Sequence, residues 1–140
     1  MSASIVISDF VKVGLTQSRE EQVVKAMTVG ALVEGMPYVY STPYMIQVME
    51  VVAENLTAPL LPKGWVSVGT RVDVKHLKAT PLDFTVTTTA EVVGVTDKAI
   101  HYKVSAHDGI ELVGEGVHYR GVVQLTRFEA GMAKKSGIRE

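Results

Sequence analysis

Apolar residues recur along this chain with two different periods, and the change falls at Gly64. Before it, Met45, Ile46, Met49, Val52, Ala53 and Leu56 form one stripe at helical spacing, which predicts an amphipathic helix over 43–57. Pro43 suits the first helical position, where its missing N–H costs little, and Thr42 is a suitable N-cap. Pro59 and Pro62 stop the helix. At ~100° per residue, Glu50 falls beside Ile46 and Ala53 at the border of the apolar face, whereas Gln47 and Glu54 point further outward. After Gly64, Val66, Val68, Thr70, Val72, Val74 and His76 alternate with Arg71, Asp73 and Lys75. This period of two predicts a strand whose inward row ends on His76.

Residues 5–13, rich in β-branched side chains, predict a first strand. Residues 16–25 are charged and weakly patterned, with a short helical turn around 20–26. Residues 28–40, with Gly30, Gly35 and Pro37, read as a loop or mobile flap. Three more strands are predicted at 84–95, 99–107 and 110–128, rich in Val, Thr and Tyr. Thr96-Asp97-Lys98 and Asp108-Gly109 supply the turns that antiparallel hairpins require, and Gly114 and Gly116 mark a bulge or kink in the last strand. No repeat or linker divides the chain, so one domain over 1–140 is expected. The fold class is α+β, with an antiparallel sheet of about five strands wrapped around a central helix. Such a sheet leaves an edge and a face to cover, which makes a homodimer the expected assembly.

With 46% hydrophobic and 21% charged residues in 140, the chain has the balance of a soluble domain with a real core. A net charge of −1 leaves no nucleic-acid footprint. The absence of cysteine excludes disulfides and thiol nucleophiles and permits a reducing compartment. Residues 1–13 lack a basic leader and include Asp9, so they do not read as a signal peptide. No apolar run approaches the ~18–20 residues of a membrane span. A cytoplasmic protein without membrane or nucleic-acid partners is therefore expected. No His/Asp grouping has the spacing of a zinc site, so no metal is expected, and the glycines lack P-loop or dinucleotide spacing.

Thr42, Glu50 and His76 are the candidate chemical groups. An alcohol, a carboxylate and an imidazole gathered on a helix and a strand can activate water or attack an acyl group. Each has a plainer reading: Thr42 as a cap, Glu50 as a boundary carboxylate near the like-charged Glu54, and His76 as a core histidine. His101 reads as solvated and His107 as turn-stabilising, while His118 fits either a ligand-facing or an outer position. Gly69 lets another backbone approach closely, whether protein or ligand. Arg120 is either a surface cation or a partner for an anionic group.

The order strand, helix, four strands resembles the hot-dog fold. Ser41-Thr42, Met49-Glu50, Gly69-Thr70, His76, Thr80-Pro81, Ser105-Ala106-His107-Asp108-Gly109 and the run from Gly116 to Arg120 resemble the fluoroacetyl-CoA thioesterase-like family of acyl-CoA thioesterases. The resemblance spans about residues 37–128. It implies catalytic roles for Thr42, Glu50 and His76, and substrate contacts for Gly69, His76 and Arg120. It also implies dimers that admit acyl-CoA between subunits, with CoA as part of the substrate and no separate cofactor. Relatives tuned for a fluorinated acyl group carry aromatic lid residues where this chain has Val33 and Met36, so fluoroacetyl selectivity is not implied. The expected function is hydrolysis of a short acyl-CoA to a carboxylate and free CoA. A hot-dog enoyl-CoA hydratase or dehydratase, and a non-catalytic acyl-CoA-binding dimeric module, are the alternatives.

Overall fold

The computed structural model describes residues 4–138. Strands β1 (Thr16–Gln22), β2 (Trp65–His76), β3 (Thr85–Val95), β4 (Ala99–His107) and β5 (Leu112–Gln124) form one antiparallel sheet in the order β1-β3-β4-β5-β2. Helices are α1 (Val29–Leu32), α2 (Thr42–Thr57) and α3 (Leu125–Ile138). The α+β arrangement is the expected one. Helix α2 lies against the inner face, burying Met45, Val48, Met49, Val52 and Ala53. These meet Val86, Ala90 and Val92 of β3, Tyr102, Val104 and Ala106 of β4, and Val113 of β5. Fully burying one such aliphatic side chain contributes ~1.5–3 kcal/mol, so this contact sets where α2 can sit.

Four local expectations are corrected. Residues 5–13 are not a strand: Ile7–Asp9 is a 3-10 turn, and Ile7 and Val11 enter the core as separate apolar plugs. The first strand is instead Thr16–Gln22, an edge strand almost wholly exposed and held to β3 by backbone pairing, which apolar periodicity does not report. Residues 20–22 of the region read as a helical turn belong to this strand, and the 3-10 turn Lys25–Met27 only overlaps the end of that region. The last strand ends at Gln124 rather than 128, where α3 begins. Residues 28–40 contain the single turn α1 and are tied down by bridges Thr28 to Tyr40 and Val39 to Pro81. Residues 1–3, in the stretch read as lacking a leader, lie outside the described residues.

The fourth correction governs the site. The register of β2 against β5 shifts between Gly69 and Arg71, leaving Thr70 as an extra residue. A one-residue insertion reverses which side chains face the core. Ser67 and Gly69 therefore face inward before the bulge, and Val74 and His76 after it. Val66, Val68 and Thr70 do not share a face with His76, contrary to the simple alternation.

Candidate functional site

The entry of α2 divides two tasks between adjacent hydroxyls. Ser41, not Thr42, is the N-cap: its Oγ accepts from Tyr44 N at 3.2 Å, and its carbonyl accepts from Met45 N at 3.0 Å. Thr42 is thereby released from capping. Its Oγ1 lies 2.6 Å from His76 Nδ1. When the imidazole proton is on Nε2, Nδ1 accepts the Thr42 hydroxyl proton, the pairing of a nucleophile or water-holder with its base. His76 Nε2 is buried without a protein partner among the described residues. Burial holds the imidazole below its ordinary pKa of 6.5, with the Lys78 backbone opposing. It is thus a neutral base at neutral pH.

This pair opens into a cleft of about 300 Å³ walled by Val29, Val39, Tyr40, Leu77, Lys78 and Ala79. Tyr40 meets the His76 ring edge-on at 6.4 Å. The walls are fastened by the backbone: Tyr40 N donates to Thr80 O at 2.8 Å and Leu77 N to Val113 O at 2.7 Å. Asp108 secures this corner, accepting from Thr80 Oγ1, Ile110 N and Glu111 N, each at 3.0 Å. These hydrogen bonds hold the carboxyl below its usual range against the opposing effect of burial. His107, whose Nδ1 accepts from Gly109 N at 3.0 Å, has the turn role read for it.

Glu50 is not with that pair. Eight residues beyond Thr42, it lies ~12 Å further along the helix axis. Its carboxylate rests over Gly69, where an added Cβ would come 2.8 Å from Glu50 Oε1 and 3.3 Å from His118 Cε1. Glycine is needed here for space. Arg120 is no surface cation: Nε donates to Ser67 Oγ at 2.8 Å, Nη2 to Ser67 O at 3.0 Å, and Nη2 pairs with Glu54 Oε2 at 2.7 Å. Ser67 Oγ also donates to Glu54 Oε2 at 2.6 Å. Arg120 Nη1 lies 3.1 Å from His118 Nε2, and His118 Nδ1 lies 2.9 Å from Arg71 O. A guanidinium only donates, so Nε2 accepts and Nδ1–H donates to Arg71 O. His118 is neutral in one tautomer. Burial lowers its pKa, the Arg120 charge pushes the same way, and the Arg71 carbonyl and Glu50 oppose.

One chain thus gathers the expected residues into two sets: Thr42 with His76, and Glu50 with Gly69 and Arg120. The second set contains two groups that the sequence did not single out, Ser67 and Glu54, and gives buried His118 a definite inward place. The placement of His118 is legible once Gly114, Gly116, His118 and Arg120 are taken as one parity of β5. Ser67 and Glu54 carry no signal without the bulge. Among the described residues no group of three His, Asp or Glu side chains is arranged to hold a metal.

Residues 23–126 match the protein family described as FlK, fluoroacetyl-CoA-specific thioesterase. The fluoroacetyl-CoA thioesterase of Streptantibioticus cattleyicolor is 40% identical over 100 residues, which cover 71% of this chain and 72% of that protein. A solved structure of the fluoroacetyl-CoA thioesterase FlK superposes with a TM-score of 0.83 at 35% identity, covering 89% of this chain and 97% of the other. A hot-dog-like protein from Thermanaerovibrio acidaminovorans superposes with a TM-score of 0.88 at 25% identity, covering 94% and 97%.

Proposed function

The chain belongs to the fluoroacetyl-CoA-specific thioesterase family, and from that footing we propose that it hydrolyses a short acyl-CoA to a carboxylate and free CoA. The observation that carries the chemistry is the 2.6 Å contact between Thr42 Oγ1 and His76 Nδ1 at an open cleft. His76 takes the proton of Thr42 or of a water that Thr42 holds. The attacked carbonyl carbon becomes tetrahedral, and its oxyanion is favoured by the positive end of the sixteen-residue helix α2. Collapse expels the CoA thiolate, which takes back the proton held by His76. Where Thr42 is the nucleophile, a water then attacks the acyl-Thr42 ester, His76 again taking its proton, and the carboxylate leaves as Thr42 is restored. Glu50 acts as the carboxylate that orients the base or the water, and Gly69 and Arg120 shape the substrate-binding side. No separate cofactor is needed, since CoA arrives as part of the substrate.

The assembly we propose is a homodimer. Strand β2 is an edge of the sheet, and residues 69–73 on it are exposed with one side of the backbone unpaired. Joining two such edges covers them. It also supplies a second Glu50, which answers the separation of this carboxylate from Thr42 in one chain. Val33 and Met36 are half-exposed on the segment whose Val29 and Val39 wall the cleft, an aliphatic lid with no aromatic preference for a fluorinated acyl group. No described helix is long and apolar enough to cross a membrane. A cytoplasmic location suits a CoA thioester substrate and a chain without cysteine.

A thiol-release panel of acyl-CoAs, from acetyl to aromatic, tests this reading beside His76→Ala and Glu50→Ala. Release is expected with short acyl groups and should collapse in both variants. Consumption of a 2-enoyl-CoA without thiol release would instead identify a hydratase, and ligand binding without turnover a binding module. Rapid-quench mass spectrometry then separates acyl-Thr42 from direct water attack.

A further inference from the structure

His76 faces the cleft only because β2 carries an extra residue at Thr70. The strand before the bulge presents odd-numbered residues inward, and the strand after it presents even-numbered ones. Healing the bulge by a one-residue slip would send His76 to the outer face and bring Lys75 inward. Something must hold the irregularity in place. A bulge disrupts the ladder and leaves backbone groups to be satisfied by other donors. At the edge of the shift, the Arg71 carbonyl accepts from His118 Nδ1–H at 2.9 Å.

We propose that His118 is a positioning residue that pins the β2 bulge and so turns His76 into the cleft. This rests on the reading of His76 as the base of the reaction. Three features fit His118 to the task. It is 1% exposed, so its ring is held by protein contacts rather than by solvent. Its tautomer is locked by Arg120 Nη1 on Nε2, and Arg120 is itself held by Ser67 and Glu54. Its ring is fixed between Tyr102, stacked at 5.9 Å, and Gly69, whose missing side chain leaves room for Cε1. The charged groups that face it are Arg120 and Glu50. A rival pin exists on the exposed side, where Thr70 Oγ1 donates to Tyr119 O at 3.2 Å.

Three variants decide the matter. His118→Leu keeps bulk but has no donor, His118→Asn keeps an amide N–H near the place of Nδ1, and Thr70→Val removes the rival bond. Two readouts are taken: NMR titration of the His76 ring, and thiol-release kcat and KM. In His118→Leu, the His76 titration should rise to the ordinary value of a solvated imidazole, and kcat should fall about 100-fold with KM little changed. His118→Asn and Thr70→Val should keep the His76 titration of the parent and most of its kcat. An unmoved His76 in folded His118→Leu overturns the proposal, as does a His118→Asn variant no better than His118→Leu. If His118→Leu does not fold, the other two decide: a solvated His76 in either one overturns it, and a retained buried titration in both supports it. The NMR readout does not depend on turnover. A parent that hydrolyses no thioester while His76 moves as expected sinks the functional reading and leaves the pin standing.

Discussion

At the cleft that both residues line, Thr42 and His76 share one hydrogen bond, and His76 Nε2 is buried without a protein partner among the described residues. At the bulge, the Arg120 side chain alone touches Ser67 twice, Glu54 and His118, and both His118 nitrogens are engaged. The first cluster is incomplete and therefore available for chemistry. The second is saturated and therefore rigid, the kind of support that holds a reactive group within the narrow tolerance catalysis requires. Sequence similarity alone puts residues from both clusters on one list of functional positions. Their hydrogen bonding separates an open pair from a filled network.

Variants can break that contrast. The largest expected effect is at the cleft: His76→Ala should lower kcat/KM about 10³-fold, as loss of a general base does, with little change in the urea midpoint. A stability loss that explained the activity loss would erase the distinction. Arg120→Met should do the reverse first. It leaves Glu54 and His118 without their partner and should cost about 3 kcal/mol in urea unfolding. Retained stability would show the network to be ornamental.

Gly69→Ala tests the border between the clusters. The intruding methyl meets the flexible end of Glu50, so kcat should fall about tenfold while unfolding changes by less than ~1 kcal/mol. Unchanged kcat would remove Glu50 from the reaction. A smaller effect is expected at the helix entry, where Ser41→Ala should cost ~1 kcal/mol of stability but leave the Thr42–His76 contact and kcat in place.

The pH profile sharpens the same comparison. As the proposed base, His76 would act when neutral, and burial lowers its pKa from 6.5, so kcat/KM should rise with pH along an acid limb centred below 6.5. Measuring that limb in the parent and in His118→Leu reports whether burial is kept. Stability follows the same sign. His76 and His118 both have lowered pKa values when folded, so the unfolded chain binds protons first as pH falls. Their contribution is complete above the unfolded value of 6.5 and is lost progressively as pH drops through 6.5 to the folded values. Urea unfolding along this range should weaken with acid, and a flat profile would contradict the burial of both rings.

Periodicity was a good guide wherever side-chain burial decided the structure. It located the helix to within a residue, since α2 buries the stripe through Met45, Met49 and Val52, and it located β4 at its observed ends. It failed where the backbone decided. Strand β1 is nearly all polar, because an edge strand is held by its ladder to β3 rather than by an apolar face. The opposite error occurred at 5–13, where Ile7 and Val11 serve as core plugs without strand pairing. Helix α3 has no buried residue, so no apolar stripe marked the end of β5.

Composition and pattern by themselves determined the fold class, the helix that carries Thr42 and Glu50, and the strand that ends on His76, because those depend on which residues avoid water. Tertiary structure alone decided that Ser41 caps and Thr42 is free, that one extra residue at Thr70 reverses the face of β2, and that Glu50 sits over Gly69 away from His76. Each of these turns on a single hydrogen bond or a single residue of register, and a local pattern averages over differences that small.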